Sequence, residues 1–492
     1  MMYLLGVIKR DWIFPVLCSF VVVTLFSFTT SWLYDRPFMI DSAVFQLIGK
    51  NWAEGRIPYK DLWELKGPLI FLPNALGYWL LGSKMGVYII QIINLSIALY
   101  FVRKTFLLEY NKKVSTLLTY LVVLYFCVFY ETGNTVEEYL LPLLIYAFNL
   151  LYRYIDKCIE KKEYDLPGGY AFVFGTVLGF SLMSRLTNAI SICAAILVIG
   201  FLLIYKGKWC NLLKSFLCFI AGFFVLTLPF VIYFYSKDAL EEMWYGTFLY
   251  GLEYAEHSGF NLLSLHGMRH IILRFVNCYF LLLVAFLIIK YNPRRKLAGI
   301  VWLVISVMTI LLFLRLNSFG HYFIITVPFI PIIFIEIHKI WKSMMASWNF
   351  TLLRVVAVIY IILGVIGVTN NIRNFFLVYH DYEELAVYEK IVKKLPPNFR
   401  SSFIAYDCDP ELYLYLDIPP KYPYYAGQSF MIIYGASIKP KIEACFRDGN
   451  AEWLLVQGTP CDWLQRIIVD KYSFLFSEKS SRWGELMVYK HR

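Results

Sequence analysis

The chain has 492 residues, of which 59% are hydrophobic and only 16% charged, and its mean hydropathy is +0.59. That balance excludes a water-soluble enzyme of this length and calls for a polytopic membrane protein. The net charge of +11 is spread over short basic segments between apolar runs, which is a topology signal rather than a nucleic-acid-binding patch.

Taken from the start, Lys9-Arg10 precedes an apolar run at 13–34. It is long enough to span and has no small-residue cleavage site, so it reads as an uncleaved anchor. Residues 35–68, DRPFMIDSAVFQLIGKNWAEGRIPYKDLWELKGP, are too polar to cross a bilayer and too apolar for a plain solvated loop. Val44, Phe45, Leu47, Ile48 and Trp52 recur at a spacing near 3.6, which predicts an amphipathic helix over 42–53 lying in the interface and stopped by Gly55. After Gly67-Pro68, LIFLPNALGYWLLG is too short to span and reads as a second interfacial helix, completing a first outer loop over 35–85.

Spans of roughly 20 apolar residues are predicted near 13–34, 86–102, 114–130, 137–153, 169–185, 187–205, 213–235, 269–289, 297–314, 321–337 and 351–369. The run 169–205 is read as two helices with a tight turn at Arg185, because an arginine at bilayer depth costs ~2.5–3.5 kcal/mol or more. Basic residues concentrate in alternate connections: Lys9-Arg10, Arg103-Lys104 with Lys112-Lys113, Arg153 to Lys162, Lys206 to Lys214, Arg294-Arg295-Lys296, and Lys339 to Arg354. The positive-inside rule then puts the N-terminus in the cytoplasm and the first loop, the 236–268 loop and the C-terminal tail outside.

After residue 370 charges return at ordinary density, so 1–370 reads as the transmembrane domain and 371–492 as a small soluble α/β domain. Strand-like runs are SFIAY, FMIIY, WLLVQ, FLF and LMVY; helix-like segments are Tyr382–Leu395, 410–416, 438–446 and 461–470. The ten cysteines show no zinc-ligand spacing, and Cys408, Cys445 and Cys461 leave room for one disulfide in an exported tail.

Several charged residues fall at the predicted outer ends of spans. Asp41 opens the first interfacial helix, where the plain reading is an N-cap and the chemical one a carboxylate poised as a general base. Glu137 and Glu138 open the fourth span. The helix dipole favours acids there, but two are more than a cap needs, and acids from two outer loops suit a divalent metal ion or an acceptor hydroxyl. Lys66, in WELKGP, either snorkels to headgroups or neutralises a lipid phosphate. Arg185, Arg315 and His321-Tyr322 lie on the same predicted side, as do Tyr59, in the turn that begins at Gly55, and Glu64.

This order of residues resembles the GT-C glycosyltransferases, specifically the dolichyl-phosphate-mannose protein mannosyltransferase and lipid A aminoarabinose transferase group. DSAVFQLIGKNWAEGRIPYKDLWELKGPLIF carries the resemblance, which extends over about residues 10–340. It implies an integral protein of a bacterial inner membrane that moves a sugar, with inversion, from a polyprenyl-phosphate donor to a hydroxyl on a lipid, glycan or protein acceptor outside the cytoplasm. In it, Asp41 takes the place of the catalytic base or acceptor-orienting acid, and Glu137 or Glu138 that of the acid opening the fourth span. Lys66, Arg185 and His321 would face the donor phosphate, with Tyr59, Glu64, Arg315 and Tyr322 as further substrate contacts. Many mannosyltransferases have a second acid directly after the first; here that position is Ser42, which weakens a two-carboxylate metal site and leaves metal dependence open. The rival readings are a transporter or flippase of lipid-linked glycans, which should show internal repeats and midplane charges, and a glycan polymerase or ligase, which should show a long late outer loop.

Overall fold

The computed structural model describes residues 2–34, 40–257, 274–315, 319–344, 348–380, 382–435, 437–449, 451–480 and 484–492. In chain order the helices begin with α1 (Met2–Phe26), α2 (Ile40–Ala53), α3 (Phe71–Leu81), α4 (Lys84–Phe106), α5 (Lys112–Phe126), α6 (Val136–Glu160), α7 (Gly168–Leu182), α8 (Ile190–Tyr205) and α9 (Trp209–Ser236). There follow α10 (Leu240–Trp244), a π-helical turn (Tyr245–Leu249), α11 (Tyr250–His257), α12 (Val276–Tyr291), α13 (Lys296–Arg315), α14 (Phe329–Met344) and α15 (Trp348–His380). The C-terminal part holds α16 (Tyr382–Lys394), β1 (Phe403–Tyr406), α17 (Glu411–Leu416), α18 (Gln428–Tyr434), α19 (Lys439–Asp448), β2 (Trp453–Gln457), α20 (Asp462–Lys471), β3 (Tyr472–Ser480) and β4 (Gly484–His491).

A helix stands at every position read as a span, although 269–273 fall outside the described residues. Five of these helical segments are long and apolar enough to cross a bilayer: Lys84–Phe106, Leu186–Tyr205, Trp209–Ser236, Pro293–Leu314 and Thr351–Asn374. A sixth follows if Gly320–Thr326 and Phe329–Ile340, bent by 43°, form one span. The chain is an integral membrane protein. The break expected at Arg185 is present: α7 ends at Leu182, Arg185 is extended, and a 3-10 turn at Leu186–Ala189 leads into α8.

The first apolar run departs from its predicted bounds. Helix α1 ends at Phe26 and turns occupy 28–33, where Ser27, Thr29, Thr30 and Ser31 offer hydroxyls that compete for backbone hydrogen bonds. Thr29 is then used tertiarily, its hydroxyl accepting from Ser42 Oγ at 2.7 Å and its carbonyl from Gln46 Nε2 at 3.2 Å. Both interfacial helices form, as α2 and α3, with Gly55 (φ +96°) just beyond the first and left-handed Gly82 capping the second.

The described chain forms two compact units. One comprises Met1–Ser27, Tyr88–Ile232 and Ser258–Ile372. Inside it, Arg295, read from sequence among the connecting basic residues, is buried instead. It holds Glu336 with two bonds (3.1 and 2.9 Å) and Asp156 with one (2.8 Å), while Lys339 joins Asp156 (2.6 Å) to Glu109 (2.9 Å). Paired and fully bonded in this way, the charges bear the desolvation that burial imposes.

The second unit comprises Phe28–Val87, Tyr233–His257 and Arg373–Arg492, so the first outer loop and the C-terminal domain share it. Its sheet has the order β1-β2-β4-β3, with β1 parallel to β2 and the other pairs antiparallel. One core joins Ile404, Leu454 and Val456 of the sheet, Ile442 and Leu464 of the helices, Trp63 of the first loop and Tyr250 of α11. The run FMIIY, expected as a strand, is the helix α18. Asp407 decides this, because its carboxylate accepts from Ser429 N (2.9 Å) and the Ser429 hydroxyl, a cap supplied from another element. Gln428 locks the same turn to Asp407 N (2.7 Å) and Ala405 O (2.9 Å). All ten cysteines are free thiols, Cys408, Cys445 and Cys461 included.

Candidate functional site

The predicted residues fall into two clusters, one in each unit. In the second unit, Asp41 sits in the first turn of α2, whose N-terminal dipole favours a carboxylate. The side chain is exposed and makes no hydrogen bond or ion pair with a described residue. Its neighbour Ser42 is the residue that ties the helix start to Thr29.

The loop after α2 is a built structure. Tyr59 takes a left-handed conformation (φ +69°), closes a turn through Tyr59 N to Leu62 O (2.8 Å), and is only 1% exposed. Its hydroxyl donates to the carbonyl of Lys66 at 2.6 Å and accepts from Thr247 at 3.3 Å. Tyr59 is thus a strut that sets the main chain of Lys66. The half-buried Lys66 ammonium makes no hydrogen bond or ion pair with a described residue. Beside it Glu64 is buried, with Oε1 accepting from Leu65 N at 2.9 Å. Burial pushes its carboxyl up to about 7; Lys66 and the Leu65 N–H oppose that rise, and Asp41 adds to it. Between about 4.5 and about 7 the unfolded chain releases this proton while the folded chain keeps it, so Glu64's contribution to stability falls as pH rises through that window.

Gly246, in the π-helical turn, is what lets this loop pack. A Cβ there would lie 2.5 Å from the Glu64 carbonyl oxygen and 3.2 Å from the Tyr59 ring. Gly246→Ala is therefore expected to displace the Glu64–Lys66 turn and lower activity more than tenfold, while circular dichroism keeps its helical signal. An unchanged rate would show that the turn tolerates the shift.

In the first unit, Glu137 and Glu138 have different surroundings. Glu138 is fully buried and accepts from Gln91 Nε2 (3.1 and 3.2 Å), Tyr130 OH (3.2 Å) and Asn134 N (2.9 Å), so its oxygens are spent on closing the 131–135 loop. Glu137, 1% exposed, instead accepts from Arg185 Nη1 at 3.4 Å and Asn188 Nδ2 at 3.1 Å. The Arg185 guanidinium also lies 3.0 Å from the centre of the Tyr322 ring. Around this pair, Thr135 Oγ1, Thr187 Oγ1, Asn188 Oδ1 and Ser191 Oγ are buried with no hydrogen-bond partner among the described residues. Groups left like this are costly unless a ligand or water satisfies them.

His321 is engaged by Glu131, a residue the sequence reading passed over within ETGNTV. Its Nδ1 lies 2.8 Å from Glu131 Oε2, and Gly320 N donates to Oε1 at 2.9 Å. Burial works against the charge on Glu131, but His321, Arg274 and the Gly320 N–H outweigh it and hold the carboxyl below its usual range. The side chain of Arg315, at the end of α13, lies outside the described residues. Among the described residues, no group of three His, Cys, Asp or Glu side chains is placed to hold a metal ion. Asn188 was missed because its role depends on the 3-10 turn; two polar residues in an otherwise apolar run, Thr187-Asn188, were the available signal.

No protein-family model matches the chain, and no curated protein matches it in sequence. Among solved structures, ArnT from Cupriavidus metallidurans bound to undecaprenyl phosphate superposes with a TM-score of 0.61 at 12% identity, over 98% of this chain and 98% of that one. ArnT in the apo state gives 0.59 at 12% identity, over 99% and 98%. The chain has the fold of ArnT. The apo Archaeoglobus fulgidus oligosaccharyltransferase is a more distant match, with a TM-score of 0.46 at 11% identity over 90% of this chain and 69% of that one. In the ArnT-like fold, then, Asp41, Glu64 and Lys66 share one unit with the C-terminal domain, and Glu137 and Arg185 belong to the other.

Proposed function

We propose that this protein is a membrane glycosyltransferase that moves a sugar from a polyprenyl-phosphate donor to an acceptor hydroxyl. The observation that carries this is the lysine: in an ArnT-like fold, Lys66 holds an ammonium with no ion-pair partner among the described residues, on a turn fixed by Tyr59, beside Glu64 and with Asp41 in electrostatic reach of that carboxyl. An unpaired cation on a rigid turn binds phosphate without first breaking an internal ion pair.

The reaction is a single displacement. The acceptor oxygen bonds to the anomeric carbon, and the bond from that carbon to the phosphate oxygen breaks. The proton passes to the carboxylate of Asp41, and polyprenyl phosphate leaves with the electron pair. The transition state has oxocarbenium character and one displacement inverts the anomeric centre, as in glycoside chemistry. Negative charge grows on the leaving phosphate, so Lys66 stabilises that state more than the ground state. The resemblance assigns Arg185 to the donor phosphate and makes Glu137 or Glu138 the acid that opens the fourth span; of the two, Glu137 is the one that accepts from Arg185. The unsatisfied oxygens around them suit a ligand rich in hydroxyls. The apolar runs support eleven crossings, and the basic-residue pattern a cytoplasmic N-terminus with the first loop and C-terminal domain outside; the resemblance implies a bacterial inner membrane. The acceptor is a lipid, glycan or protein hydroxyl.

The test is transfer in proteoliposomes supplied with radiolabelled polyprenyl-phosphate sugars and membrane extract as acceptor. The wild type should release polyprenyl phosphate, and Lys66→Ala should slow release by ~10²–10³-fold, the usual scale for one lost transition-state donor. Equal turnover in both proteins would remove the phosphate assignment; no release with any donor would remove the transferase reading.

A further inference from the structure

The C-terminal domain meets the first loop along Asp417–Tyr425, of sequence DIPPKYPYY. Its three prolines have no N–H to donate and fix φ, which leaves carbonyls available to a partner. Two of those carbonyls are used by the loop: Arg56 Nη1 donates to Pro420 O, and Trp63 N donates to Pro423 O at 3.0 Å. At one end Asp417, left-handed at φ +56°, pairs with Lys50 at the end of α2. At the other, the Trp63 ring is held against Tyr424 and Tyr250, with centroids 5.9 and 5.2 Å apart. Helix α17, just before the segment, packs on α2 itself. Ties at Lys50, Arg56 and Trp63 therefore run up to the residue before Glu64. Beyond them, Tyr425 is buried in electrostatic reach of Glu64, and its hydroxyl has no hydrogen-bond partner among the described residues.

We propose that Asp417–Tyr425 is a positioning segment through which the C-terminal domain sets the Glu64–Lys66 turn. The domain's task is then to hold the donor-binding turn in register and keep water from Glu64. As a contribution to transfer, this rests on the glycosyltransferase reading above; as a contribution to the state of Glu64, it does not.

The experiment reads both. Among the described residues, the groups in electrostatic reach of Glu64 are Lys66, Asp41, Tyr59 and Tyr425, and none is altered in the main variant, Arg56→Ala with Asp417→Ala. The infrared band of the protonated Glu64 carboxyl, identified by its absence in Glu64→Gln, should titrate near 7 in the wild type. In the double variant it should move down by a unit or more as water reaches the carboxyl, and kcat/KM for a polyprenyl-phosphate sugar should fall about tenfold, chiefly through KM. Exchanging the ion pair, Lys50→Asp with Asp417→Lys, keeps the tie and should retain the wild-type titration. An unmoved band in a folded double variant would overturn the inference. A moved band in a protein that transfers no sugar would uphold the positioning and sink the transferase reading instead. Tyr425→Phe adds a control: because its hydroxyl bonds to none of the described residues, thermal stability should hold, and a stability loss would mean the hydroxyl serves the fold.

Discussion

Asp41→Asn is expected to lower sugar transfer by ~10²–10⁴-fold, the range over which a positioned general base contributes. The side chain keeps its shape, and the change removes the attraction of a carboxylate to the N-terminus of α2, worth ~0.3–1 kcal/mol, together with the repulsion between Asp41 and Glu64. Because Asp41 is exposed and unbonded among the described residues, no network collapses when its charge goes. Activity and stability should therefore separate: a large drop in kcat with an almost unchanged melting temperature. Donor binding, measured as retention of a polyprenyl-phosphate sugar, should survive, since phosphate is assigned to Lys66. If Asp41→Asn turns over at the wild-type rate, the base lies elsewhere.

Arg185→Ala carries the other large effect, and here stability and activity should fall together. It leaves Glu137, 1% exposed, without its cation, and breaking a buried pair from one side costs ~3–5 kcal/mol. The cation–π contact with Tyr322, worth ~0.5–2 kcal/mol, is lost as well. The paired variant Arg185→Met with Glu137→Gln removes both charges and should recover most of the melting temperature, because no uncompensated charge remains. Transfer should stay low in the pair if the two charges serve the reaction. Recovery of transfer along with stability would make Glu137–Arg185 a purely structural tie.

The contrast between these variants follows from how each residue is held. Asp41 is exposed at a helix start, whereas Glu137 is enclosed by Arg185 and Asn188. Glu137 and Glu138 are adjacent and chemically identical, so no sequence reading separates them. Tertiary packing does, because successive helical positions point about 100° apart. One carboxylate meets Gln91, Tyr130 and Asn134, and the other meets Arg185. His321 and Lys66 diverge in the same way. Both are cations or switchable groups at a predicted outer boundary, yet among the described residues His321 bonds directly to an acid, Glu131, and the Lys66 ammonium bonds to none.

The sequence alone determined where the helices lie, because that depends on local quantities. Runs of apolar residues, a 3.6 spacing in 42–53, glycine after a helix end and an arginine that resists lipid are all readable within a few residues. The tail's alternation of strand-like and helix-like runs was legible for the same reason, except at FMIIY, where Asp407 and Gln428 outweigh β propensity from across the fold. What tertiary structure decided was which charges are satisfied and which are left over. It joined Trp63 to Tyr424 and so made the first loop and the C-terminal domain parts of one unit, although hundreds of residues separate them in the chain. Pairings of that kind depend on distances between segments remote in sequence, and an amino-acid order carries no local mark of them.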